Sequence, residues 1–223
     1  MLLYYITDRT QLGDDETTRR QRLLQRIEEA ARAGVDYIQL RERDLPTREL
    51  HKLAAEAVAT VRAAGSKTRL LVNSRIDVAL AAGTDGVHLR SDDVRSSEAR
   101  SVWAKATKHT DCVIVQSCHT LMEVLNAEAH GADFVVFGPI FGKQGSETPA
   151  TGVEALARIT GRGGPADPKV EAGQSLRMPV LALGGVTVEH VSACLQAGAA
   201  GIAGIRLFQQ GAVKETVNRL RSL

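Results

Sequence analysis

Aromatic residues are scarce in this sequence, and its charges nearly cancel. Only 4% of the 223 residues are aromatic, which is too few for the stacking surfaces on which proteins hold single-stranded nucleic acid. The formal net charge is +2 at pH 7, so no strong field attracts nucleic acid or a membrane surface. We therefore expect neither a nucleic acid nor a membrane as a partner.

Cysteine is also scarce, and long apolar runs are missing. Cys112, Cys118 and Cys194 are an odd number without metal-type spacing, so we expect reduced thiols packed in the core. No apolar run approaches the roughly 20 residues of a membrane span. The apolar N-terminus lacks a basic leader and a cleavage site, which indicates a first strand and not a signal peptide. The prediction is a cytoplasmic protein.

The sequence does contain a regular alternation of short strands with helices. Residues 37–43, Tyr-Ile-Gln-Leu-Arg-Glu-Arg, alternate apolar and polar side chains, which is the pattern of a strand. A helix that ends at a glycine precedes this strand, and Pro46 begins the next helix. Eight strands are predicted in this way, at residues 2–7, 37–43, 69–74, 86–90, 112–118, 134–141, 179–186 and 201–208.

Four similar links join a predicted helix to the strand that follows it. Each link contains a glycine, namely Gly34, Gly83, Gly131 and Gly198, which suits the left-handed position that ends many helices. The first two gaps between these glycines are 49 and 48 residues, and the third is 67 residues. The longer gap contains a Gly- and Pro-rich stretch at residues 161–177, which we interpret as an inserted loop. Two βα units per gap give eight units.

This arrangement predicts the fold class and the place of the active site. Strands that alternate with helices imply a parallel sheet, and eight such units predict an α/β fold, a single (β/α)8 TIM barrel spanning residues 1–223. An open, doubly wound sheet is the alternative, but it does not require such even spacing. In a barrel the catalytic groups lie at the C-terminal ends of the strands.

Glycines mark the ends of predicted strands seven and eight. Gly184 and Gly185 follow strand seven, and Gly204 lies in strand eight. Glycines let backbone N–H groups approach a phosphate closely, and barrels often bind phosphate at strands seven and eight. We therefore predict a phosphate site here, with a simple tight turn as the alternative.

A second group of strand-end residues combines cations, amides and a carboxylate. Gln39, Arg41 and Arg43 share one face of strand two, Asn73 ends strand three, and Asp93 follows strand four. This combination suits a magnesium-bound pyrophosphate, because Mg²⁺ prefers one or two carboxylates together with phosphate oxygens. The alternative is a layer of structural ion pairs that closes the barrel.

One histidine is predicted at a strand end. His119 ends strand five, where a neutral imidazole could act as a general base or could orient a neighbouring group. His88 lies in the middle of strand four and is expected to be structural. His190 lies beside a helix and is expected to be exposed to solvent.

Several motifs, taken in order, resemble one family along nearly the whole chain. They are Tyr5-Ile-Thr-Asp8, Gln39-Leu-Arg41-Glu-Arg43, Val72-Asn73, Asp85-Gly-Val-His-Leu followed by Asp93, Ser117-Cys-His119-Thr120, Ala132-Asp-Phe-Val-Val-Phe-Gly138-Pro-Ile and Leu183-Gly-Gly-Val-Thr187. With these motifs the sequence resembles the thiamine phosphate synthase and TenI-like thiazole tautomerase family.

The resemblance implies an enzyme of thiamine biosynthesis that acts on small phosphorylated substrates. In such synthases hydroxymethylpyrimidine pyrophosphate loses pyrophosphate, and hydroxyethylthiazole phosphate attacks the resulting cation to give thiamine phosphate. The catalytic residues would be Arg41, Ser117 and His119, with Ser117 near the pyrimidine. Asp93 would bind Mg²⁺. Further substrate-binding residues would be Gln39, Arg43 and Asn73 around pyrophosphate, and Lys143, Gly184, Gly185, Gly204 and Arg206 around the thiazole phosphate.

Three departures from the synthase pattern leave the reaction open. Arg43 replaces a lysine, Ser74 replaces a second metal-binding aspartate, and Arg206 replaces a serine. The first two changes, in Arg41-Glu-Arg43 and Asn73-Ser-Arg75, resemble the tautomerase branch, which isomerises a thiazole phosphate carboxylate with the equivalent of His119 as base and without a metal. A barrel that binds thiazole phosphate or thiamine phosphate without catalysis is a third hypothesis. We favour the synthase because Gln39, Asn73 and Asp93 are all kept. Homo-oligomerisation is a further open expectation, because the outer helices of barrels often pair.

Overall fold

The eight predicted strands form a closed parallel barrel. The computed structural model describes residues 1–108, 111–142, 149–162 and 176–223. The strands follow one another around the barrel in sequence order, and β1 closes it by pairing with β8. Their bounds are β1 Leu2–Ile6, β2 Tyr37–Leu40, β3 Arg69–Asn73, β4 Gly86–Leu89, β5 Val113–Cys118, β6 Phe134–Phe137, β7 Val180–Ala182 and β8 Gly201–Gly204. The predicted (β/α)8 TIM barrel is confirmed.

Helices connect the strands and cover the outside of the barrel. Among the described residues, none of them is long and apolar enough to cross a membrane. The helices are α1 Glu16–Ala33, α2 Thr47–Ala63, α3 Ile76–Ala82, α4 Ser96–Thr107, α5 Leu121–Ala129, α6 Gly152–Ile159, α7 Val191–Gln196, α8 Arg206–Gln209 and α9 Val213–Arg221.

The four repeated glycines have the backbone conformation that their spacing predicts. Gly34, Gly83, Gly131 and Gly198 have φ angles of 86°, 68°, 74° and 89°. A side chain in this left-handed region is strained. Each glycine therefore turns the chain from the end of a helix back towards the next strand.

Apolar side chains fill the inside of the barrel. Tyr4, Leu71, Val115 and Phe134 are almost fully buried there. The Tyr4 ring makes edge contacts with the rings of Tyr37 and Phe134, at centroid distances of 6.0 and 5.6 Å. The interior is thus a packed core and not a channel, as in other barrels of this size.

The inward-facing positions become polar towards the C-terminal ends of the strands. Because side chains two residues apart share a face of a strand, Gln39 follows Tyr37, and Asn73 follows Leu71 on the inner face. The same step places Ser117 after Val115. The interior apolar core therefore supports a layer of polar side chains at one mouth of the barrel.

Four strands end at least three residues before their predicted ends, namely β2 at Leu40, β6 at Phe137, β7 at Ala182 and β8 at Gly204. Strand seven, predicted at residues 179–186, ends at Ala182, because Gly184 and Gly185 turn the chain with φ angles of 93° and 65°. The predicted helix at residues 187–197 is a 3-10 turn at Val188–His190 followed by α7.

Strand eight was predicted to run to residue 208 but ends at Gly204. Ile205 has helical backbone angles, and α8 follows at once. This turn buries Gln209, whose Oε1 accepts hydrogen bonds from the Tyr5 hydroxyl and the Asp8 N–H at 3.1 and 2.8 Å. These bonds anchor α8 to the chain after β1, which the apolar pattern of residues 201–208 could not indicate.

The predicted inserted loop is only partly described. Residues 163–175, most of the stretch predicted at 161–177, lie outside the described residues. The insertion and the single-domain boundary at residues 1–223 remain predictions.

Candidate active site

A chain of hydrogen bonds connects the polar residues of β2, β3 and the loop after β4. The Gln39 amide donates to Asn73 Oδ1 at 3.0 Å, and the Asn73 amide donates to Ser74 Oγ at 3.1 Å. Ser74 Oγ in turn donates to Asp93 Oδ2 at 2.6 Å. The structure therefore brings together Gln39, Asn73 and Asp93, as the sequence predicted, and links them through the serine that departs from the synthase pattern.

Arg41 extends from the end of β2 without an anionic partner. Among the described residues its guanidinium makes no hydrogen bond or ion pair, and only its backbone N–H is bonded, to Thr7 Oγ1 at 2.9 Å. Burial, and secondly the nearby Arg43, lower the pKa of Arg41. A half-buried cation beside another cation is favourable only when an anion binds.

The carboxylate of Glu42, the next residue, is not the partner of Arg41, because it faces the other side of the chain. Glu42 is buried and accepts hydrogen bonds from Thr7 Oγ1 at 2.5 Å and from the Arg9 backbone N–H. It also pairs with the Arg9 guanidinium at 3.2 Å. Burial raises the pKa of Glu42, although these hydrogen bonds oppose the rise. Glu42 therefore belongs to the core, whereas Arg41 faces the mouth of the barrel.

A cavity of about 690 Å³ opens at this mouth. It contacts the ends of β1 and β2, the turn after β7 and the beginning of α8. Its lining includes the predicted residues Arg41, Arg43, Gly184, Gly185, Gly204 and Arg206. Arg206 begins α8 and is exposed, so it reaches the cavity from a helix and not from the strand end that was predicted. Three guanidinium groups therefore border one cavity.

The glycine turn after β7 packs tightly against the loop after β6. A Cβ atom on Gly184 would lie 2.5 Å from Pro139 Cβ, and one on Gly185 would lie 2.7 Å from the Phe141 carbonyl oxygen. The Phe141 N–H donates to the Gly184 carbonyl at 2.9 Å. Glycine is therefore required here by contact as well as by φ angle. Lys143, predicted in the same loop, lies outside the described residues.

The prediction that His190 is solvated was wrong. Its ring is partly buried and stacks on Phe141, with ring centroids 4.0 Å apart and an angle of 16° between the planes. Its Nδ1 atom lies 3.2 Å from the Gly185 carbonyl oxygen. His190 therefore contacts both the glycine turn and the loop after β6. These parts of the chain are distant in sequence, so no local pattern indicates the contact.

His119 lies at the mouth of the barrel in a defined orientation. Its Nδ1 atom is 2.6 Å from the Gly138 carbonyl oxygen. A carbonyl oxygen only accepts, so Nδ1 carries the proton and Nε2 of the neutral ring has a free lone pair. The exposed ring can thus accept a proton at Nε2, as a general base must.

His88 is buried in the barrel and connects Ser117 to the core. Its Nε2 atom lies 2.8 Å from Ser117 Oγ, and its Nδ1 atom lies 2.8 Å from the Tyr4 hydroxyl. Burial, and secondly Arg41, lower the pKa of His88 to about 3. The ring is therefore neutral at physiological pH. The sequence indicated a structural histidine but not that it contacts Ser117.

The residues fit a magnesium ion only with help from the substrate. The described part of the chain contains no group of three or more His, Cys, Asp or Glu side chains that could hold a metal. Asp93 Oδ2 already accepts hydrogen bonds from Ser74 Oγ and from the Arg90 N–H at 2.7 Å. Among the described residues no hydrogen bond reaches Asp93 Oδ1, which is left as one carboxylate oxygen. Pyrophosphate oxygens and water would have to complete the six ligands that Mg²⁺ requires.

Comparison with known proteins places the chain in a family. The family model described as thiamine monophosphate synthase matches residues 3–208. A relative in Aquifex aeolicus, provisionally named a thiamine-phosphate synthase 2, is 36% identical over 207 residues, which are 92% of this chain and 96% of the relative. The thiamine-phosphate synthase of Syntrophomonas wolfei is 32% identical over 203 residues, covering 90% of this chain and 85% of the relative.

A solved structure agrees with the sequence comparisons. The thiamine phosphate pyrophosphorylase of Pyrococcus furiosus superimposes with a TM-score of 0.76 at 28% identity, over 99% of this chain and 94% of that structure. Family model, sequence relatives and solved structure thus agree over nearly the whole barrel. This chain belongs to the thiamine monophosphate synthase family.

Proposed function

We propose that this protein condenses hydroxymethylpyrimidine pyrophosphate with hydroxyethylthiazole phosphate, releasing pyrophosphate and forming thiamine phosphate. The observation that carries the proposal is the half-buried Arg41 guanidinium, which has no anionic partner among the described residues. A pyrophosphate group would supply that partner. The names of the relatives and of the solved structure, all thiamine phosphate synthases or pyrophosphorylases, support the same reaction.

The chemistry requires stabilisation of a leaving group more than it requires a base. The bond between the pyrimidine methylene carbon and the pyrophosphate oxygen breaks, and its electron pair leaves with pyrophosphate. The lone pair of the thiazole nitrogen then forms the new carbon–nitrogen bond. Positive charge placed where the leaving group gains negative charge lowers the barrier of such a step.

The arginines and amides of β2 and β3 would bind pyrophosphate. Arg41 would contact it with its planar guanidinium, which matches phosphate oxygens in pairs, and Arg43 would add a second charge. The hydrogen-bonded amides of Gln39 and Asn73 would fix its orientation. Asp93 would hold Mg²⁺, which would further neutralise the pyrophosphate charge.

The thiazole phosphate would bind on the glycine turn. Gly184 and Gly185 line the cavity together with Gly204 and Arg206, so backbone N–H groups and one guanidinium would face the phosphate. Lys143 is proposed for the same phosphate from the resemblance alone. Ser117 would contact the pyrimidine.

The thiazole tautomerase reaction is the second candidate. The free Nε2 lone pair of His119, fixed by the bond from Nδ1 to Gly138, favours it, as does the hydroxyl of Ser74 in the place of a second carboxylate. In that reaction His119 would remove and return a proton of the thiazole ring without a metal. A barrel that binds thiazole phosphate without turnover is the third hypothesis.

The deciding experiment is thiamine phosphate formation from the two synthase substrates, with and without Mg²⁺. Magnesium-dependent product supports the synthase and shows that Asp93 suffices as the metal carboxylate. Isomerisation of thiazole phosphate carboxylate, without condensation, assigns the tautomerase. Binding of thiazole phosphate with neither reaction supports the non-catalytic barrel.

A further inference from the structure

The buried hydroxyl of Tyr4 begins a line of hydrogen bonds that leads through His88 to Ser117. Tyr4 lies inside the barrel with no exposed surface, and its hydroxyl has one hydrogen-bond partner among the described residues, His88 Nδ1 at 2.8 Å. The opposite nitrogen of the same ring is 2.8 Å from Ser117 Oγ. Three side chains from β1, β4 and β5 thus form one line from the core to the mouth of the barrel.

Only one arrangement of protons satisfies every buried group in this line. A neutral imidazole carries one proton, either on Nδ1 or on Nε2. If Nδ1 carried it, the Tyr4 hydroxyl would have to accept, and its own proton would point into the apolar core without a partner. A buried donor without an acceptor is costly. Tyr4 therefore donates to Nδ1, and the His88 proton sits on Nε2.

This arrangement fixes the role of Ser117. Because His88 Nε2–H donates, Ser117 Oγ must accept on that side, and its own proton is left for another partner. Ser117 is partly exposed, so that proton can face the mouth of the barrel. The reverse arrangement would use the Ser117 proton on His88 and leave only lone pairs for a ligand.

We infer that Tyr4 acts through His88 as a positioning residue, which makes Ser117 a hydrogen-bond donor to an acceptor atom of the substrate. The inference deepens the proposed function and rests on it for the identity of the substrate, an aza-aromatic ring with an unprotonated nitrogen. A ring that presents an N–H at this point would use only the remaining lone pair of Ser117 Oγ and leave the Ser117 proton without an acceptor in the ligand, so it would bind more weakly.

The neutrality of His88 allows this control at all working pH values. The guanidinium of Arg41 acts on the ring electrostatically, and the ring of Tyr4 lies 5.6 Å away from it between centroids. Burial, and secondly the positive charge of Arg41, both oppose a second proton on His88. The tautomer is therefore set by Tyr4 and not by solution pH.

The chain provides a matched pair of variants. Tyr4→Phe removes the hydroxyl but keeps the ring that packs against Phe134. Tyr37→Phe removes a hydroxyl from the same aromatic cluster, and among the described residues that hydroxyl makes no hydrogen bond. Both changes delete one oxygen atom, but only the first changes the partner of His88.

The direct test is nitrogen-15 NMR of the histidine side chains in the whole protein without substrate. We expect His88 to show a protonated Nε2 and an unprotonated Nδ1 in the parent protein and in Tyr37→Phe. In Tyr4→Phe neither tautomer has a partner at Nδ1, so we expect shifts averaged between the two forms. A protonated Nδ1 in the parent protein, or an unchanged spectrum in Tyr4→Phe, would overturn the inference.

Kinetics then separate positioning from plain structural support. We expect Tyr4→Phe to raise KM for the pyrimidine substrate about tenfold, the effect of one misdirected hydrogen bond, with unchanged KM for thiazole phosphate. Ser117→Ala should cause a similar loss, and the double variant should lose no more than either single one. Additive losses, or an equal loss in Tyr37→Phe, would contradict the positioning role.

Failure of the proposed function gives a different result. The protein could form no thiamine phosphate while His88 shows a protonated Nε2 that depends on Tyr4. That result would confirm the direction of the Ser117 hydrogen bond and contradict the synthase assignment. If thiamine phosphate forms but His88 carries its proton on Nδ1, the synthase stands and the inference falls.

Discussion

Replacement of Arg41 by alanine gives the sharpest test of how the barrel mouth binds its substrates. The half-buried Arg41 guanidinium at the end of β2, which has no anionic partner among the described residues, lines the same cavity as the glycine turn after β7. If Arg41 faces pyrophosphate, its loss should weaken binding of the pyrimidine pyrophosphate and leave binding of the thiazole phosphate unchanged.

The size of the effect follows from the kind of bond that is lost. A hydrogen bond to a charged group contributes about 1.5–3 kcal/mol, and each ~1.4 kcal/mol is tenfold in rate. We therefore expect kcat/KM for the pyrimidine pyrophosphate to fall roughly 10- to 150-fold in Arg41→Ala. Arg41→Lys should lie in between, because it keeps the charge but loses the planar pair of donors.

The assay is steady-state synthesis of thiamine phosphate with each substrate varied in turn, together with direct binding of thiazole phosphate. Arg69→Ala is the matched control, because it removes an equal charge from an exposed position at the start of β3, the opposite end of the barrel. Equal loss of affinity for both substrates, or a similar loss in the control, would refute the assignment of Arg41 to pyrophosphate and of the glycine turn to thiazole phosphate.

Stability gives an independent check on the same residue. Burial lowers the pKa of Arg41, which means that the folded protein without ligand disfavours its charge. Arg41→Ala should therefore leave Tm unchanged or raise it in the absence of substrate. A clear drop in Tm would show that the guanidinium has a structural partner.

The remaining predictions concern other parts of the site and the core. Ser74→Asp should raise activity several-fold at limiting Mg²⁺, because it restores a second carboxylate; a metal titration equal to that of the parent would contradict this. His119→Ala should abolish isomerisation of thiazole phosphate carboxylate and leave condensation largely intact, as measured by product analysis. Glu42→Ala should lower the free energy of unfolding, measured by urea titration, by about 3 kcal/mol, because it breaks a buried ion pair. The control Glu56→Ala breaks an exposed ion pair and should lower the same free energy by under about 1 kcal/mol. His88 has its pKa lowered from 6.5 to about 3 by folding, so its contribution to stability is complete above pH 6.5 and declines as pH falls towards 3; His88→Gln should flatten that part of the stability profile.

Much of the candidate site was predictable because its signals are local. Arg41 and Asn73 stand out as polar groups at the ends of apolar strands, and Gly184 and Gly185 stand out as a turn. Parallel strands in a barrel bring their C-terminal ends to one mouth, so residues far apart in sequence could be assigned to one site before any contact was known.

The contacts within that site were not predictable from the same signals. The bond from Ser74 to Asp93 and the line from Tyr4 through His88 to Ser117 depend on how strands from different repeats are staggered around the barrel. A strand pattern shows which face a side chain occupies, but it does not show which side chain lies opposite. The contacts of Ser74 and His88 are therefore visible only in the tertiary structure of the closed barrel.

The sequence by itself determined the repeated βα units, the barrel and the rim on which the chemistry lies. Glycine spacing and strand periodicity are sufficient for this, because backbone turns and the burial of apolar faces are local properties. The tertiary structure decided that β8 ends at Gly204, that Arg206 reaches the cavity from α8, and that His190 stacks on Phe141. Those features depend on contacts between residues distant in sequence, since each side chain takes the position in which its polar atoms find partners and its apolar surface is buried.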